Sequence, residues 1–173
     1  MLEPQQASAE VLNQDSSPDV IRKKMLEIEA DLALMPGAVF GDDCAPLKHT
    51  FADGAYIREI TMSAGMLITS KIHKVCHPYF VLKGDVSVLT EEGVVRIKAP
   101  FSGITPAGTK RLLYIHEETV WTTVHVTKET DLKKIETEII AKTFDDLPNS
   151  ETEVDQAAIE TQALESPTIR KEA

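Results

Sequence analysis

The stretch Gly65-MLITSKIHKVCHPYFVLK-Gly84 decides the fold. Between its two glycines lie two apolar runs of strand length, Met66–His73 and Tyr79–Leu82, rich in β-branched and aromatic residues. It closes on Lys83-Gly84-Asp85, a set of turn residues. Strand residues two apart share a face, so Lys71 and His73 point the same way.

The same pattern continues outward. Short β-rich runs cover Tyr56–Met62, Val86–Thr90, Val94–Lys98, Ser102–Thr105, Arg111–Ile115 and Val120–Val126. The breaks between them are Ser63-Ala64-Gly65, Glu91-Glu92-Gly93, Pro100, Pro106-Ala107-Gly108 and His116-Glu117-Glu118. Eight short strands at this spacing predict a mainly β, antiparallel barrel or sandwich. Glu92-Gly93 is a hairpin signal. A helix precedes the strands. Ser17 stands at its cap and Pro18 at its first position, and Ile21, Met25, Ile28 and Leu32 make one apolar stripe. It ends near Met35-Pro36-Gly37, and residues 38–49 read as an irregular connection. A second helix is expected from Asp131 to about Lys142, capped by Thr130, on the spacing of Leu132, Ile135, Ile139 and Ile140.

Two motifs carry a family resemblance. The Gly65–Gly84 stretch resembles the first cupin motif, with His73 at its second histidine, His77 where an acid is expected, and Lys71 at its first histidine. Fifteen residues later, Pro100-FSGIT-Pro106-Ala107-Gly108-TK-Arg111 resembles the second motif, with Arg111 in place of the metal-binding histidine. The passages HTFADGAYIREI (49–60) and TVWTTVHVT (119–127) look like those of small single-domain cupins encoded by tailed bacteriophages. The resemblance covers roughly residues 55–127. It implies a jelly-roll barrel with a metal cage in its mouth, and self-association as a homodimer or higher homo-oligomer. It also implies an infected bacterial cytoplasm or a virion as the setting, with a phage or host protein as partner.

Composition sets the limits around this core. Residues 1–19 carry four acids and no base, and residues 145–173 carry eight acids against Arg170 and Lys171. All of the net charge of −10 therefore sits at the ends, while residues 20–144 hold sixteen acids and sixteen bases. Such ends bury too little to order themselves. The expected organisation is a disordered tail at 1–16, a helix and connection at 17–49, the barrel at 50–127, a helix at 128–144 and a disordered tail at 145–173. The lack of a basic face argues against nucleic acid. No apolar run is long enough to span a bilayer, and the N-terminus has no secretory pattern, so an intracellular protein without a membrane partner is expected. Cys44 and Cys76 read as reduced thiols.

The candidate site is Lys71, His73, His77 and Arg111, with His125 on the last strand sharing a face with Trp121 and Thr123. Two permanent cations beside a divalent ion are unfavourable, so no cofactor is expected at the usual cage. The alternative metal set is His73, His77 and the Cys76 thiolate, with His125 as a fourth ligand. Swapped cations suggest instead a small anion held by Lys71 and Arg111. Against this stands a structural reading, in which Arg111 pairs with Glu59 or Asp85 and Lys71 reaches the rim. His125 and Trp121 read most simply as core or interface, and His49 and His116 as solvated. The expected function is a non-enzymatic binding or assembly module. The alternative is a metal-dependent cupin enzyme of isomerase or dioxygenase type acting on a small oxygenated substrate.

Overall fold

A computed structural model describes residues 17–36, 38, 39 and 44–147. The expected tail at 1–16, and residues 148–173 of the tail expected at 145–173, lie outside the described residues. Helix α1 (Pro18–Ala33) begins as expected, with Pro18 in the first turn, although the Ser17 side chain makes no cap bond. Its stripe packs on its own chain: Ile21 and Met25 are buried against Leu89 and Leu112. The buried Lys110 ammonium fixes the helix further, donating to Glu29 Oε1 at 2.8 Å and to the Ser70 carbonyl at 3.1 Å.

The strands are β1 (Leu47–Ala52), β2 (Ala55–Met62), β3 (Leu67–Thr69), β4 (Ile72–His73), β5 (His77–Thr90), β6 (Gly93–Lys98), β7 (Phe101–Thr105), β8 (Leu112–Val126) and β9 (Ile140–Ala141). The first half of β1, Leu47–His49, falls in the segment read as an irregular connection. β1 is an edge strand exposed along most of its length, so it shows no alternation of apolar and polar residues. The principal sheet runs β1-β2-β8-β5-β6, with β3 also on β8 and β7 also on β5, and every pair is antiparallel. The chain is mainly β, as expected, but among the described residues the path of hydrogen bonds does not close into a complete barrel.

Two expected breaks are not breaks. Lys83-Gly84-Asp85 lies inside the 14-residue β5, and His116-Glu117-Glu118 lies inside the 15-residue β8. The pairing of β5 with β8 shifts register between Val81 and Val86, so the two strands bend together instead of turning back. Gly84 makes this bend with φ +100°, and a Cβ there would lie 2.5 Å from the Glu118 carbonyl oxygen. The bend lets one half of β5 pair with β7 and the other half with β6. The sheet thus rolls over a core that includes Met62, Tyr79, Val81, Val86, Val88, Ile97, Ile115 and Trp121.

Helix α2 (Leu132–Ile139) is shorter than expected, and Asp131 caps it in place of Thr130, accepting from the Lys133 and Lys134 amides. It stops early because Ile140 and Ala141 leave it as β9, which pairs with His73 and Ile72 of β4. Ile135 and Ile139 pack against Tyr56 of β2. The chain ends its described course in a 3-10 turn, Phe144–Asp146. Among the described residues no helix is long and apolar enough to cross a membrane.

Candidate metal centre

Strand register assembles the site. His77 begins β5, opposite Thr105 of β7. The pairing Tyr79↔Thr123 brings His77 level with His125 two residues further along β8, and His125 itself lies opposite Tyr56 of β2. His73 arrives separately, from β4, where Ile140 of β9 holds its backbone. The three rings pack closely, with centroids 4.3 Å apart for His73 and His77, 4.4 Å for His77 and His125, and 5.4 Å for His73 and His125. One ring nitrogen from each lies within 4.8 Å of the other two.

His77 and His125 are buried and His73 is half-buried, and the cluster is short of hydrogen bonds. His125 is 1% exposed and His77 2%. Among the described residues, nothing pairs with the buried nitrogens His73 Nδ1, His77 Nε2 and both of His125. The other nitrogen of His77, Nδ1, lies 3.1 Å from the Val75 carbonyl, which only accepts, so Nδ1 carries the proton. That leaves Nε2 as a lone pair turned toward the other rings, the arrangement of a metal-ligating histidine oriented by its outer nitrogen. Burial, reinforced by the neighbouring histidines and by Arg111 and Arg58, pushes His73 down to about 2. Burial, then the charges of His77 and Arg58, push His125 down to about 4. His77 is also lowered, by burial first and by Arg111. All three imidazoles are therefore neutral at pH 7, the form that binds metal.

The residue types fit a divalent transition metal. Three imidazole nitrogens are a common donor set, and tetrahedral bonds of about 2.1 Å would set them about 3.4 Å apart. The unpartnered buried nitrogens are otherwise unexplained, because each costs roughly 1–3 kcal/mol when left unsatisfied.

Placement separates the residues singled out from sequence. Lys71 is not in the cluster. Its ammonium reaches Glu136 of α2, on the outside, because that carboxylate offers it a partner in solvent. Cys76 is exposed and stands apart from the three histidines, since the chain turns outward between β4 and β5. Arg111 is buried inside, but against Tyr79 and Trp121, not against Glu59 or Asp85. Asp85 is taken by Arg96 and Lys98, and Glu59 accepts from Thr122. His125, read as core or interface, is both core and part of the cluster. His49 and His116 are also engaged, with the Tyr56 hydroxyl and the Ser87 hydroxyl respectively. Thr105, beside His77, was missed. Its place just before Pro106 in the second motif was the available signal.

No protein-family profile matches the chain, and no curated protein does. Solved structures do. The chain is similar to cupin-domain structures. One is a cupin-2 domain containing protein from Shewanella frigidimarina, at 8% identity over 62% of this chain and 99% of that one, with a TM-score of 0.41. Another is a cupin superfamily protein from Desulfitobacterium hafniense, at 9% identity over 55% and 85%, with a TM-score of 0.42. A third is an acetylacetone dioxygenase from Acinetobacter johnsonii, at 16% identity over 53% and 74%, with a TM-score of 0.41.

Proposed function

We propose that this chain is a metal-dependent protein whose site takes a small oxygenated compound, with one divalent transition metal held by His73, His77 and His125. The observation that carries this reading is the convergence of unpartnered, buried imidazole nitrogens within 4.8 Å. Three protein ligands are the pattern of an open centre, whereas closed structural sites use four. A bound divalent ion supplies Lewis acidity toward an oxygen ligand. The chain's own contribution is to hold the imidazoles neutral, orient His77 through the Val75 carbonyl, and keep bulk water out of the cluster. A metal-free anion cage built on Lys71 and Arg111 has less support, because Lys71 is paired with Glu136 outside.

The test is metal analysis after loading with zinc or cobalt and exhaustive dialysis. About one ion per chain is expected, lost in His77→Ala and His125→Ala and retained in Cys76→Ser. A wild-type protein that holds no more metal than His125→Ala overturns the reading.

A further inference from the structure

The charge around the three histidines is one-sided. Among the described residues the cluster is all imidazole, with no carboxylate ligand to offset a divalent ion. Arg111 enters the same interior. Its Nη2 donates to Thr105 Oγ1 at 2.8 Å, and Thr105 lies opposite His77 in the pairing of β7 with β5. The guanidinium carbon is 5.1 Å from the ring centre of Tyr79, the next residue after His77 on that face, and 5.7 Å from that of Trp121. Only 8% of the residue is exposed. A hydroxyl and two aromatic faces steady the guanidinium, but they are neutral partners for a buried charge. Its charge acts on both His73 and His77.

Buried positive charge of this kind is stable only with a counter-charge. On the metal reading, on which this step rests, a divalent ion adds two more positive charges to the same space. We infer that the open position of the His73–His77–His125 centre takes a small oxyanion, carboxylate or inorganic, which Arg111 binds together with the metal. A guanidinium has five N–H donors, and the bond to Thr105 uses one, which leaves the fork able to meet an oxyanion. Thr105 and the two rings act as positioning groups that hold the fork toward the histidines.

Cobalt(II) provides the probe, because its visible absorption reports the ligands around it. The cobalt-loaded protein is titrated with formate, acetate and inorganic phosphate, and cobalt affinity is measured with and without each. A saturable spectral change with at least one of them is expected. By linkage that anion tightens cobalt binding by the same factor that cobalt tightens the anion, tenfold or more. In Arg111→Met the anion affinity falls tenfold or more, while cobalt in anion-free buffer binds at least as tightly, since a repelling cation has gone. Arg111→Lys, which keeps the charge without the fork, recovers part of the loss. If cobalt does not bind, the metal reading itself fails. If cobalt binds but none of the anions alters its spectrum or affinity, or if Arg111→Met keeps the anion affinity, this inference alone is overturned. Should Arg111→Met fail to fold, the wild-type coupling decides, and its absence counts against the inference.

Discussion

At the scale of single residues, the histidines tie stability to pH. His73 and His125 titrate near 2 and near 4 in the folded chain, against about 6.5 when unfolded. Below about pH 6.5 the unfolded chain therefore binds protons that the folded chain refuses, so stability is lost as pH falls from about 6.5, to about 4 through His125 and on to about 2 through His73. For metal-free protein, the denaturant midpoint should be lower at pH 5 than at pH 7. The difference should shrink in His125→Asn. A midpoint independent of pH over that range would contradict the buried, neutral cluster. Gly84 gives a second residue-scale test. A methyl group there meets Thr119 Oγ1 and Cα and the Glu118 carbonyl, all closer than 3 Å, on a backbone with φ +100°. Gly84→Ala should cost about 2–4 kcal/mol in equilibrium unfolding. Gly65→Ala, at φ +83° but with open space around it, should cost only about 1 kcal/mol.

At the scale of elements, the two helices cover different things. Met25 of α1 is fully buried against the half of the sheet that carries Leu89 and Leu112, beyond the bend from the histidines. Ile135 of α2 is buried against Tyr56, whose ring stacks on His125 at 6.0 Å. Each truncation to alanine removes a buried side chain of similar size and should cost about 2–5 kcal/mol. Their effect on bound metal should differ. Ile135→Ala loosens the wall behind His125 and should speed metal release severalfold in a chelator-exchange measurement. Met25→Ala should leave that rate close to wild type. Equal effects of the two variants would mean that α2 has no special hold on the site.

The whole molecule raises the matter of assembly. The α1 stripe is largely used within one chain, since Ile21 and Met25 are buried and Ile28 and Leu32 half-buried. Exposed apolar area lies elsewhere, on the outward side of β5 and β7, where Phe80, Leu82 and Ile104 are 38–60% exposed. A cluster of this kind on a small domain is a candidate contact surface. The outcome expected of light scattering at micromolar concentration is a mass twice the 19.1 kDa of the chain. Leu82→Lys, on that face, should return it to the monomer. A monomeric wild-type protein would remove self-association from the account.

By itself the sequence determined the class of fold and most of the elements. The β-rich runs, the break at Glu91-Glu92-Gly93, the start of α1 and the existence of α2 are local matters of propensity and period, and local matters are written in order along the chain. It also marked His73 and His77, because a spacing of four between two strands is visible in one line of text. The rest depended on contacts between residues far apart in sequence. Gly84 reads as a turn, yet it is a bend, because the register of β5 against β8 carries the strand through it. Ile140 keeps helical spacing, yet leaves the helix, because β4 offers its backbone a partner. His125 joins His77 across 48 positions through strand pairing, while Cys76, next to His77, faces solvent. Lys71 and Arg111 carry the same charge in matching motif positions, but one found Glu136 on a helix outside the sheet and the other two aromatic rings within it. Which cation stays beside the histidines is a question of partner and burial, and only the packed chain answers it.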